Sequence, residues 1–371
     1  MKKVLLFEDV YGLYGGIERV INNIIANSDS SLFTFSLCIN HMASFEYMPF
    51  LEEHHVKIYE LQKYWEKNPI KRHHRGFKAF KKFVYENKFD IIHFNISNAI
   101  DLKYIAIAKN AGAKNLIAHC HNDETTSAFK RVIHYCVKPF YVDKANYYIA
   151  CSDKAGKWLY TSKIMKSSKY KTIENGIDTQ SFAFSIESRI NLRKEFNANS
   201  KTRLIMHVGR FNKQKNQAKV LAVFKAFHSI NPDSMLVFFG AGDSSSIKKS
   251  ISNLSLSNSV IIHSPTTNIN KYYSAFDCFV FPSLYEGFGL ALLEAETNGL
   301  PCVISDTIPN SVIFTKNVVA LSIDENDIAW AKAIDEFSFI PRKDNVNLAK
   351  EKGFDQKRQA EKIYSIYNEF A

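Results

Sequence analysis

Paired cysteines, long apolar runs and an excess of acidic residues are all missing from this chain of 371 residues. Its six cysteines form no C-x-x-C pair and no zinc spacing, which favours buried, reduced thiols in the cytosol. No apolar stretch approaches the roughly 20 residues that a membrane span needs. The apolar run after Met1 is also shorter than a signal peptide requires. We therefore expect a soluble or peripheral protein.

Positive charge is abundant and unevenly distributed. The formal net charge is +11, and the excess is concentrated between Lys67 and Lys88. Phe77, Phe80 and Val84 recur there at helical spacing and predict an amphipathic helix. Its basic side chains either face water alone or also bind anionic lipid head groups. No nucleic-acid motif accompanies the charge, so no nucleic-acid partner is expected. The basic residues of this helix are Lys71, Arg72, Arg75, Lys78, Lys81 and Lys82.

Strand-like apolar runs alternate with helical patterns through both halves of the chain. This alternation predicts the α/β class, with two parallel sheets that carry helices on both faces. Ligands of such sheets bind at the carboxyl ends of the strands, so a cleft between two domains is the expected site. We assign residues 1–183 to a first domain, 184–353 to a second domain and 354–371 to an amphipathic final helix.

One segment combines a strand, a glycine turn and the start of a helix. Residues 279–282 predict a buried strand, and a helical pattern follows the turn. Backbone N–H groups and the helix dipole make such a junction an anion site. Gly287 and Gly289 allow a ligand to approach the backbone closely. Glu286 lies in the turn, and Glu294 lies in the helix, where its carboxylate can accept hydrogen bonds from hydroxyl groups.

Short motifs follow one another in order nearly from end to end. They are Gly15-Gly16-Ile17-Glu18, Asp90-Ile91-Ile92-His93, Ala118-His119-Cys120-His121-Asn122, Cys151-Ser152, Asn175-Gly176-Ile177-Asp178, His207-Val208-Gly209-Arg210-Phe211, Lys213-Gln214-Lys215-Asn216, Gly240-Ala241-Gly242, Glu286 with Glu294, and Gly299-Leu300-Pro301. The ordered set resembles that of retaining glycosyltransferases of the GT-B fold, family 4, in the branch that builds bacterial capsule and exopolysaccharide. The resemblance implies two Rossmann-like domains facing a central cleft, with a final helix that crosses back to the first domain.

The resemblance also implies which residues bind the sugar donor. Arg210 and Lys215 resemble the basic pair that neutralises the donor diphosphate, whose departure is easier when cations offset its negative charge. A solvated basic loop is the alternative, because Lys213 lies there too. Glu294 resembles the glutamate that hydrogen-bonds the nucleoside ribose, and Glu286 resembles the glutamate that faces the donor sugar.

A nucleophilic Glu286, as in retaining glycosidases with paired carboxylates, is disfavoured because Glu294 is assigned to the ribose. The family is described by a same-face mechanism, in which the departing phosphate oxygen takes the acceptor proton. The pocket then stabilises an oxocarbenium-like state. Backbone N–H groups of Phe288 and Gly289 would reach the donor, whereas Leu290 continues the turn and is assigned mainly to packing.

The first domain is expected to contribute a glycine loop and histidines. Gly15 and Gly16 would bring the loop against the diphosphate or the acceptor, and they are not part of a dinucleotide fingerprint. The family places a histidine near the donor sugar at the strand end that holds His119 and His121, and we choose His121 before His119. His93 is assigned to the core.

The implied catalytic set is Glu286, His121, Arg210 and Lys215. The implied donor-binding set is Gly15, Gly16, His119, Gly209, Arg210, Lys215, Gly242, Glu286, Gly287, Phe288, Gly289, Leu290 and Glu294. No metal and no cofactor are expected, because the chain has no D-x-D triplet of the kind with which the GT-A class holds a divalent ion.

The expected function is transfer of a hexose, with retention, from a UDP-linked donor to a lipid-linked oligosaccharide or another saccharide. The expected location is the cytoplasm, peripheral on the inner face of the cell membrane. A nucleotide-sugar 2-epimerase, which needs no acceptor, and a non-catalytic sugar-nucleotide-binding protein, which shows no turnover, remain alternatives. An NAD-dependent enzyme is disfavoured without the glycine fingerprint and its ribose-binding acid.

Overall fold

The computed structural model describes residues 1–12, 15–62, 64, 66, 68–125, 127–337 and 342–370. The chain divides into two compact units, Met1–Asn175 with Gln356–Ala371, and Gly176–Asp355. The boundary assigned from the sequence, after residue 183, lies inside the second unit.

The first unit is built on a parallel sheet with the strand order β3-β2-β1-β4-β5-β6-β7. Its strands are β1 (Lys2–Tyr11), β2 (Phe33–Met42), β3 (Lys57–Glu60), β4 (Ile91–Ile96), β5 (Leu116–Cys120), β6 (Tyr147–Ala150) and β7 (Tyr170–Thr172). Its helices before residue 175 are α1 (Gly16–Ala26), α2 (Met48–Glu53), α3 (Pro69–Glu86), α4 (Leu102–Asn110), α5 (Ala128–Tyr141), α6 (Asp153–Leu159) and α7 (Ser162–Met165).

The second unit repeats this plan with the strand order β10-β9-β8-β11-β12-β13. Its strands are β8 (Arg203–Val208), β9 (Ser234–Phe239), β10 (Val260–His263), β11 (Cys278–Phe281), β12 (Cys302–Ser305) and β13 (Val318–Leu321). Its α-helices are α8 (Ile186–Glu195), α9 (Gln217–Ile230), α10 (Ser245–Asn253), α11 (Ile269–Tyr272), α12 (Leu290–Thr297), α13 (Asp327–Phe337) and α14 (Val346–Lys352). Short 3₁₀ helices span Thr179–Phe182, Lys213–Lys215, Tyr273–Ala275 and Asn310–Val312.

Burial of the central strands on both faces explains their continuous apolar sequences. Every residue of β4 and of β11 is buried, as expected for parallel strands that helices cover on both sides. In the second unit, Phe224, Phe227 and Trp330 pack with the strand residue Phe238 in one core. The α/β class predicted from the sequence is confirmed.

Each sheet has a point where the strand order reverses. In the first unit β1 lies between β2 and β4, and in the second unit β8 lies between β9 and β11. Loops that leave such neighbouring strands part in opposite directions and open a crevice at the carboxyl ends of the strands. The loops that follow β8 and β11 carry most of the residues assigned to the donor.

The last helix, α15 (Gln356–Glu369), belongs to the first unit. Its Ile363, Ile366 and Tyr367 are completely buried in the same core as residues of β1 and β2. The final helix therefore returns to the first unit, as the sequence resemblance implied.

The basic helix predicted from the sequence is α3. Asn68 caps its start by accepting hydrogen bonds from the N–H groups of Ile70 and Lys71. Phe80, Phe83 and Val84 are buried on one face of the helix. None of the helices in the described part of the chain combines the length and the apolarity needed to cross a membrane.

Candidate functional site

The turns that follow β8 and β9 lie backbone against backbone. The Gly209 N–H donates to the Phe239 carbonyl at 2.9 Å, and the Phe211 N–H donates to the Ala241 carbonyl at 2.8 Å. A Cβ at Gly240 would lie 2.1 Å from the Gly209 carbonyl oxygen, so no side chain fits there. Gly242 has φ +108°, in the left-handed region that favours glycine. These contacts fix the backbone on which Arg210 is carried.

The loop after β8 is also tied to the loop after β11. The Leu284 N–H donates to the Gln214 carbonyl at 2.8 Å, and Gln214 Nε2 donates to the Tyr285 carbonyl at 3.0 Å. Asn216 Nδ2 donates to the Pro282 carbonyl at 3.2 Å. Gln214 and Asn216 thus position the loop that carries Lys215 against the turn that carries Glu286.

An ion pair joins these two loops. Lys215 Nζ lies 2.6 Å from Glu286 Oε1 and 4.8 Å from the centroid of the Phe281 ring. The side chains of Lys215 and Glu286 are only 16% and 8% exposed, so their attraction is little screened by water. Arg210, in contrast, is exposed. The structure therefore brings a fixed cation and a carboxylate together, and it leaves Arg210, on the same loop as Lys215, at the surface.

The glycine turn leads directly into α12. Gly289 precedes the helix with φ +100°, a conformation that costs glycine little. The side chains of Phe288 and Leu290 are buried. Helix α12 then carries Glu294, which is 2% exposed and accepts a hydrogen bond from the Tyr273 hydroxyl at 2.6 Å.

Two further titratable residues of the second unit are buried and hydrogen-bonded to backbone groups. Glu296 is buried and accepts hydrogen bonds from the N–H groups of Phe314 and Thr315, at 3.2 and 2.8 Å; burial raises its pKa to about 7. His207 Nδ1 donates to the Val280 carbonyl at 2.9 Å, and burial lowers the pKa of His207 to about 4. The imidazole therefore stays neutral at physiological pH.

The glycine loop of the first unit leads into α1. Gly15 is the residue before the helix and Gly16 is its first residue. The Gly15 N–H donates to Glu18 Oε2 at 2.9 Å, which is one half of a capping box. Glu18 thus caps the start of α1.

Three histidines lie together on neighbouring strands, with His93 inside β4 and with His119 and His121 at the carboxyl end of β5. His93 Nε2 is 3.1 Å from His119 Nδ1, and the rings of His119 and His121 have centroids 4.1 Å apart. His121 Nε2 is 2.9 Å from Asn95 Oδ1. Burial lowers the pKa of His93 and of His121 to about 3, and it lowers the pKa of His119 well below the ordinary value.

The residues assigned from the sequence therefore form two groups, one in each unit. Gly15, Gly16, His119 and His121 belong to the first unit, and the others belong to the second. Tyr273, Gln214 and Asn95 were missed as partners of these groups. Tyr273 is 21 residues from Glu294 in the sequence and carried no motif signal.

Two family models match the chain, one in each half. "Glycosyltransferase Family 4" matches residues 14–181, and "Glycosyl transferases group 1" matches residues 188–352. The chain belongs to the family 4 glycosyltransferases. The family named from the sequence is thereby confirmed.

No group of three His, Cys, Asp or Glu side chains in the described ranges is arranged to hold a metal ion.

Relatives of this glycosyltransferase span most of its length. EpsF of Bacillus subtilis (strain 168) is 24% identical over 95% of this chain and 93% of its own. An Escherichia coli protein named UDP-Gal:alpha-D-GlcNAc-diphosphoundecaprenol alpha-1,3-galactosyltransferase is 25% identical over 77% of each chain. Both matches extend through the two units.

A solved structure shares the whole architecture. Anabaena HepE, crystallised with UDP and glucose, superposes with a TM-score of 0.79 at 18% identity, covering 99% of this chain and 100% of its own. At this identity the likeness shows the fold, which is the GT-B fold expected from the sequence.

Proposed function

We propose that this glycosyltransferase moves a hexose, with retention of configuration, from a UDP-linked donor to a lipid-linked oligosaccharide in capsule, exopolysaccharide or O-antigen synthesis. The observation that carries the proposal is the Lys215–Glu286 pair, which joins the loops that follow β8 and β11, with Arg210 on the same loop as Lys215. The names of the Escherichia coli relative and of the HepE complex support UDP as the nucleotide.

The chemistry of the second unit suits a diphosphate leaving group. Lys215 and Arg210 supply positive charge, and the backbone N–H groups at the start of α12 add donors of the kind that bind phosphate at helix N-termini. Stabilising negative charge as it develops on the departing phosphate lowers the barrier to transfer. Glu294, held by Tyr273, presents a buried carboxylate suited to ribose hydroxyl groups.

Retention follows in this proposal from attack on the face that the diphosphate leaves. The departing phosphate oxygen takes the proton of the acceptor hydroxyl, so no covalent glycosyl-enzyme is formed. Glu286 is hydrogen-bonded to Lys215, and a carboxylate held by a cation is a weak nucleophile. Its charge is better used to stabilise positive charge on the sugar in the transition state.

The experiment for this function compares donors and variants on the full chain. Purified protein is incubated with UDP- and GDP-sugars, and thermal shift and slow donor hydrolysis are recorded. A ligand that binds the folded state alone raises the melting temperature. We expect a shift with a UDP-sugar that Lys215→Ala and Glu294→Ala abolish and that Lys213→Ala keeps, because Lys213 is exposed on the same loop. A folded sample that no nucleotide sugar shifts would contradict the proposal.

The products separate the transferase from the two alternatives. Incubation of the donor with undecaprenyl-diphosphate saccharides should give a new α-linked glycolipid and free UDP. An epimerised nucleotide sugar formed without an acceptor would indicate the 2-epimerase, and binding without any turnover would indicate a binding protein.

Because the proposed acceptor is lipid-linked, we propose that this protein binds the inner face of the cell membrane through α3 and α5. Lys71, Arg75, Lys78, Lys81 and Lys82 of α3 are exposed, and Arg72 of the same helix is half-buried. Helix α5 exposes large apolar side chains among basic ones. Those exposed apolar residues are Phe129, Val132, Tyr135 and Phe140.

Basic and apolar side chains on one surface match the head groups and the interface of an anionic bilayer. Lys130 of α5 lies close enough to His73 of α3 to contribute to lowering its pKa, and α4 packs against both helices. No nucleic-acid partner is proposed.

Vesicle co-sedimentation tests this surface. We expect binding to vesicles containing phosphatidylglycerol and none to pure phosphatidylcholine, with a strong salt dependence. Lys78→Glu with Lys81→Glu, or Phe129→Ser with Val132→Ser, should release the protein. The matched control, Lys248→Glu with Lys249→Glu, reverses two exposed charges of α10 in the second unit. Equal loss in the control would contradict the assignment to α3 and α5.

A further inference from the structure

Arginine side chains hold the segment that carries Tyr273. Helix α11 runs into the 3₁₀ helix Tyr273–Ala275, and the last carbonyl groups of such a helix have no partner within it. Arg189, Arg193 and Arg342 donate hydrogen bonds to carbonyls of residues 273–276, here called the tyrosine turn. Guanidinium groups at the carboxyl end of a helix also offset the negative end of its dipole. Three side chains from outside the tyrosine turn therefore fix its backbone.

Arg342 makes two contacts that Arg189 does not make. Its Nη2 atom donates to the Tyr273 carbonyl at 2.5 Å and also donates to Asn298 Oδ1. Asn298 directly follows α12, so Arg342 joins the tyrosine turn to the end of that helix. The two arginines share two other carbonyl partners in the turn. Arg189 is thus a matched reference for the contacts of Arg342 with Tyr273 and Asn298.

Tyr273 joins the same turn to the middle of α12. Its hydroxyl oxygen lies 2.6 Å from Glu294 Oε2 and 3.3 Å from the Ala291 carbonyl oxygen. A phenol has a single proton, and a distance of 2.6 Å is typical of donation to a carboxylate. Tyr273 is completely buried, so bulk water does not compete for this proton. Tyr273 therefore sets the direction of the Glu294 carboxylate.

We propose that Tyr273 and Arg342 are positioning residues for recognition of the nucleotide ribose. Arg342 fixes the backbone of Tyr273, and the Tyr273 hydroxyl fixes the carboxylate of Glu294. An ionised carboxylate has about four lone-pair sites, so Glu294 can accept hydrogen bonds from ribose hydroxyls as well as from Tyr273. The proposal rests on the proposed function, which assigns Glu294 to the ribose. Neither Tyr273 nor Arg342 belongs to the motifs that indicated the family.

The two positioning residues should act on the hydroxyl groups of the ribose and not on the diphosphate. A hydrogen bond from a hydroxyl depends on the direction of the accepting oxygen. The cations assigned to the diphosphate, Arg210 and Lys215, are carried by the loop after β8 instead. UDP should therefore lose affinity when Glu294 is misdirected. The analogue 2′,3′-dideoxy-UDP lacks both ribose hydroxyls and should lose none.

The first test removes the phenol hydroxyl while keeping the ring. Isothermal titration of Tyr273→Phe should show UDP binding weakened roughly tenfold and 2′,3′-dideoxy-UDP binding unchanged. In the transfer assay, KM for the donor should rise while kcat stays nearly constant. Tyr272→Phe is the matched control, because the Tyr272 hydroxyl lies 3.4 Å from Glu195 Oε2 at the surface. Equal weakening of both nucleotides by Tyr273→Phe would show a structural role alone and overturn the proposal.

The second test asks whether Arg342 acts through Tyr273. Arg342→Lys and Arg189→Lys keep the positive charge but lose the planar fork that contacts several carbonyls at once. Both should lower the melting temperature, but only Arg342→Lys should reduce the preference for UDP over 2′,3′-dideoxy-UDP, by about fivefold. In a Tyr273→Phe background, Arg342→Lys should reduce that preference no further, because residues that act in series are not additive. A further loss in that background would show that Arg342 acts by another route and would overturn its assigned role.

The wild-type protein separates this proposal from the function on which it rests. If it prefers UDP and both Tyr273→Phe and Arg342→Lys keep the whole preference, the positioning roles are wrong and the donor site stands. If it binds UDP and 2′,3′-dideoxy-UDP equally, Glu294 does not recognise the ribose and the proposal fails with that assignment. If it binds neither nucleotide, the proposed function itself is contradicted, and the positioning roles fall with it.

Discussion

Lys215 Nζ lies 2.6 Å from Glu286 Oε1, so the cation assigned to the donor diphosphate is already bound to the carboxylate assigned to the donor sugar. The pair is mostly buried, and removing one partner leaves the other charge poorly compensated. A diphosphate that enters competes with Glu286 for Lys215 or joins the pair as a third member. The two residues should therefore affect nucleotide binding in opposite directions.

Lys215→Ala should weaken UDP binding by roughly 10- to 100-fold, because a charge-assisted hydrogen bond contributes about 1.5–3 kcal/mol. Glu286→Gln should keep or strengthen UDP binding, because Lys215 loses its competing carboxylate, while turnover falls sharply. Isothermal titration with UDP and a transfer assay measure the two effects. Lys213→Ala, on the same loop, is the control. Equal weakening of UDP binding by Lys215→Ala and Glu286→Gln would refute the competition.

Glu294 should account for recognition of the ribose. We expect the wild-type protein to prefer UDP over 2′-deoxy-UDP or 3′-deoxy-UDP, and Glu294→Gln to lose most of that preference, because an amide accepts hydrogen bonds more weakly than a carboxylate. Binding constants of the three nucleotides measure it. Glu296→Gln is the control, since Glu296 bonds the Phe314 and Thr315 N–H groups and should change stability alone. A Glu294→Gln protein that still discriminates would remove Glu294 from the ribose site.

Gly240→Ala should destabilise the second unit and weaken UDP binding. The new Cβ would lie 2.1 Å from the Gly209 carbonyl oxygen. Because the clashing atom belongs to the backbone, the clash can be relieved only by a shift of the turn that carries Arg210. Overpacking of this kind costs about 1–3 kcal/mol. Thermal unfolding and UDP titration measure the two effects, with Ala241→Gly as the control at the neighbouring residue. A Gly240→Ala protein as stable as the wild type would show that the two turns separate freely.

Acid should unfold the first unit before the second. Burial depresses the pKa of His93, His119 and His121 below the ordinary value of 6.5. The unfolded chain then binds more protons than the folded chain below pH 6.5, so stability falls as the pH falls, by about 1.4 kcal/mol per pH unit for each histidine. Burial raises the pKa of Asp101 to about 8, so the folded state binds a proton there that the unfolded chain does not. This carboxyl group therefore stabilises the folded state as the pH falls over the same range, and it offsets the effect of one of the three histidines.

In the second unit the two opposing effects nearly cancel. The pKa of His207 is lowered to about 4, so His207 destabilises the folded state as the pH falls below 6.5. The pKa of Glu296 is raised to about 7, so Glu296 stabilises the folded state over nearly the same range. Proteins that keep only Trp158 or only Trp330 report on the first and second unit in turn. Their fluorescence between pH 7 and 4 should show Trp158 changing at the higher pH. Coincident transitions would contradict this order.

Local pattern was sufficient to predict the fold class and the family. Parallel strands buried on both faces must be apolar along their whole length, and the helices between them must be amphipathic. The alternation of strands and helices can therefore be recognised in the sequence of each unit. The glycine turn before α12 was equally visible, because a left-handed residue such as Gly289 and a helix start leave local marks on the sequence.

The partners of the site residues were decided by the tertiary structure alone. The sequence named Lys215 and Glu286, but 71 residues separate them, and only the return of the chain from β8 to β11 brings their charged atoms together. The same holds for Tyr367 and His93, which are 274 residues apart. Hydrogen-bond partners across such distances depend on strand order and helix packing, which no short-range pattern encodes. The sequence by itself therefore determined which elements form and which residues carry charge, and the packing of those elements decided what each charge meets.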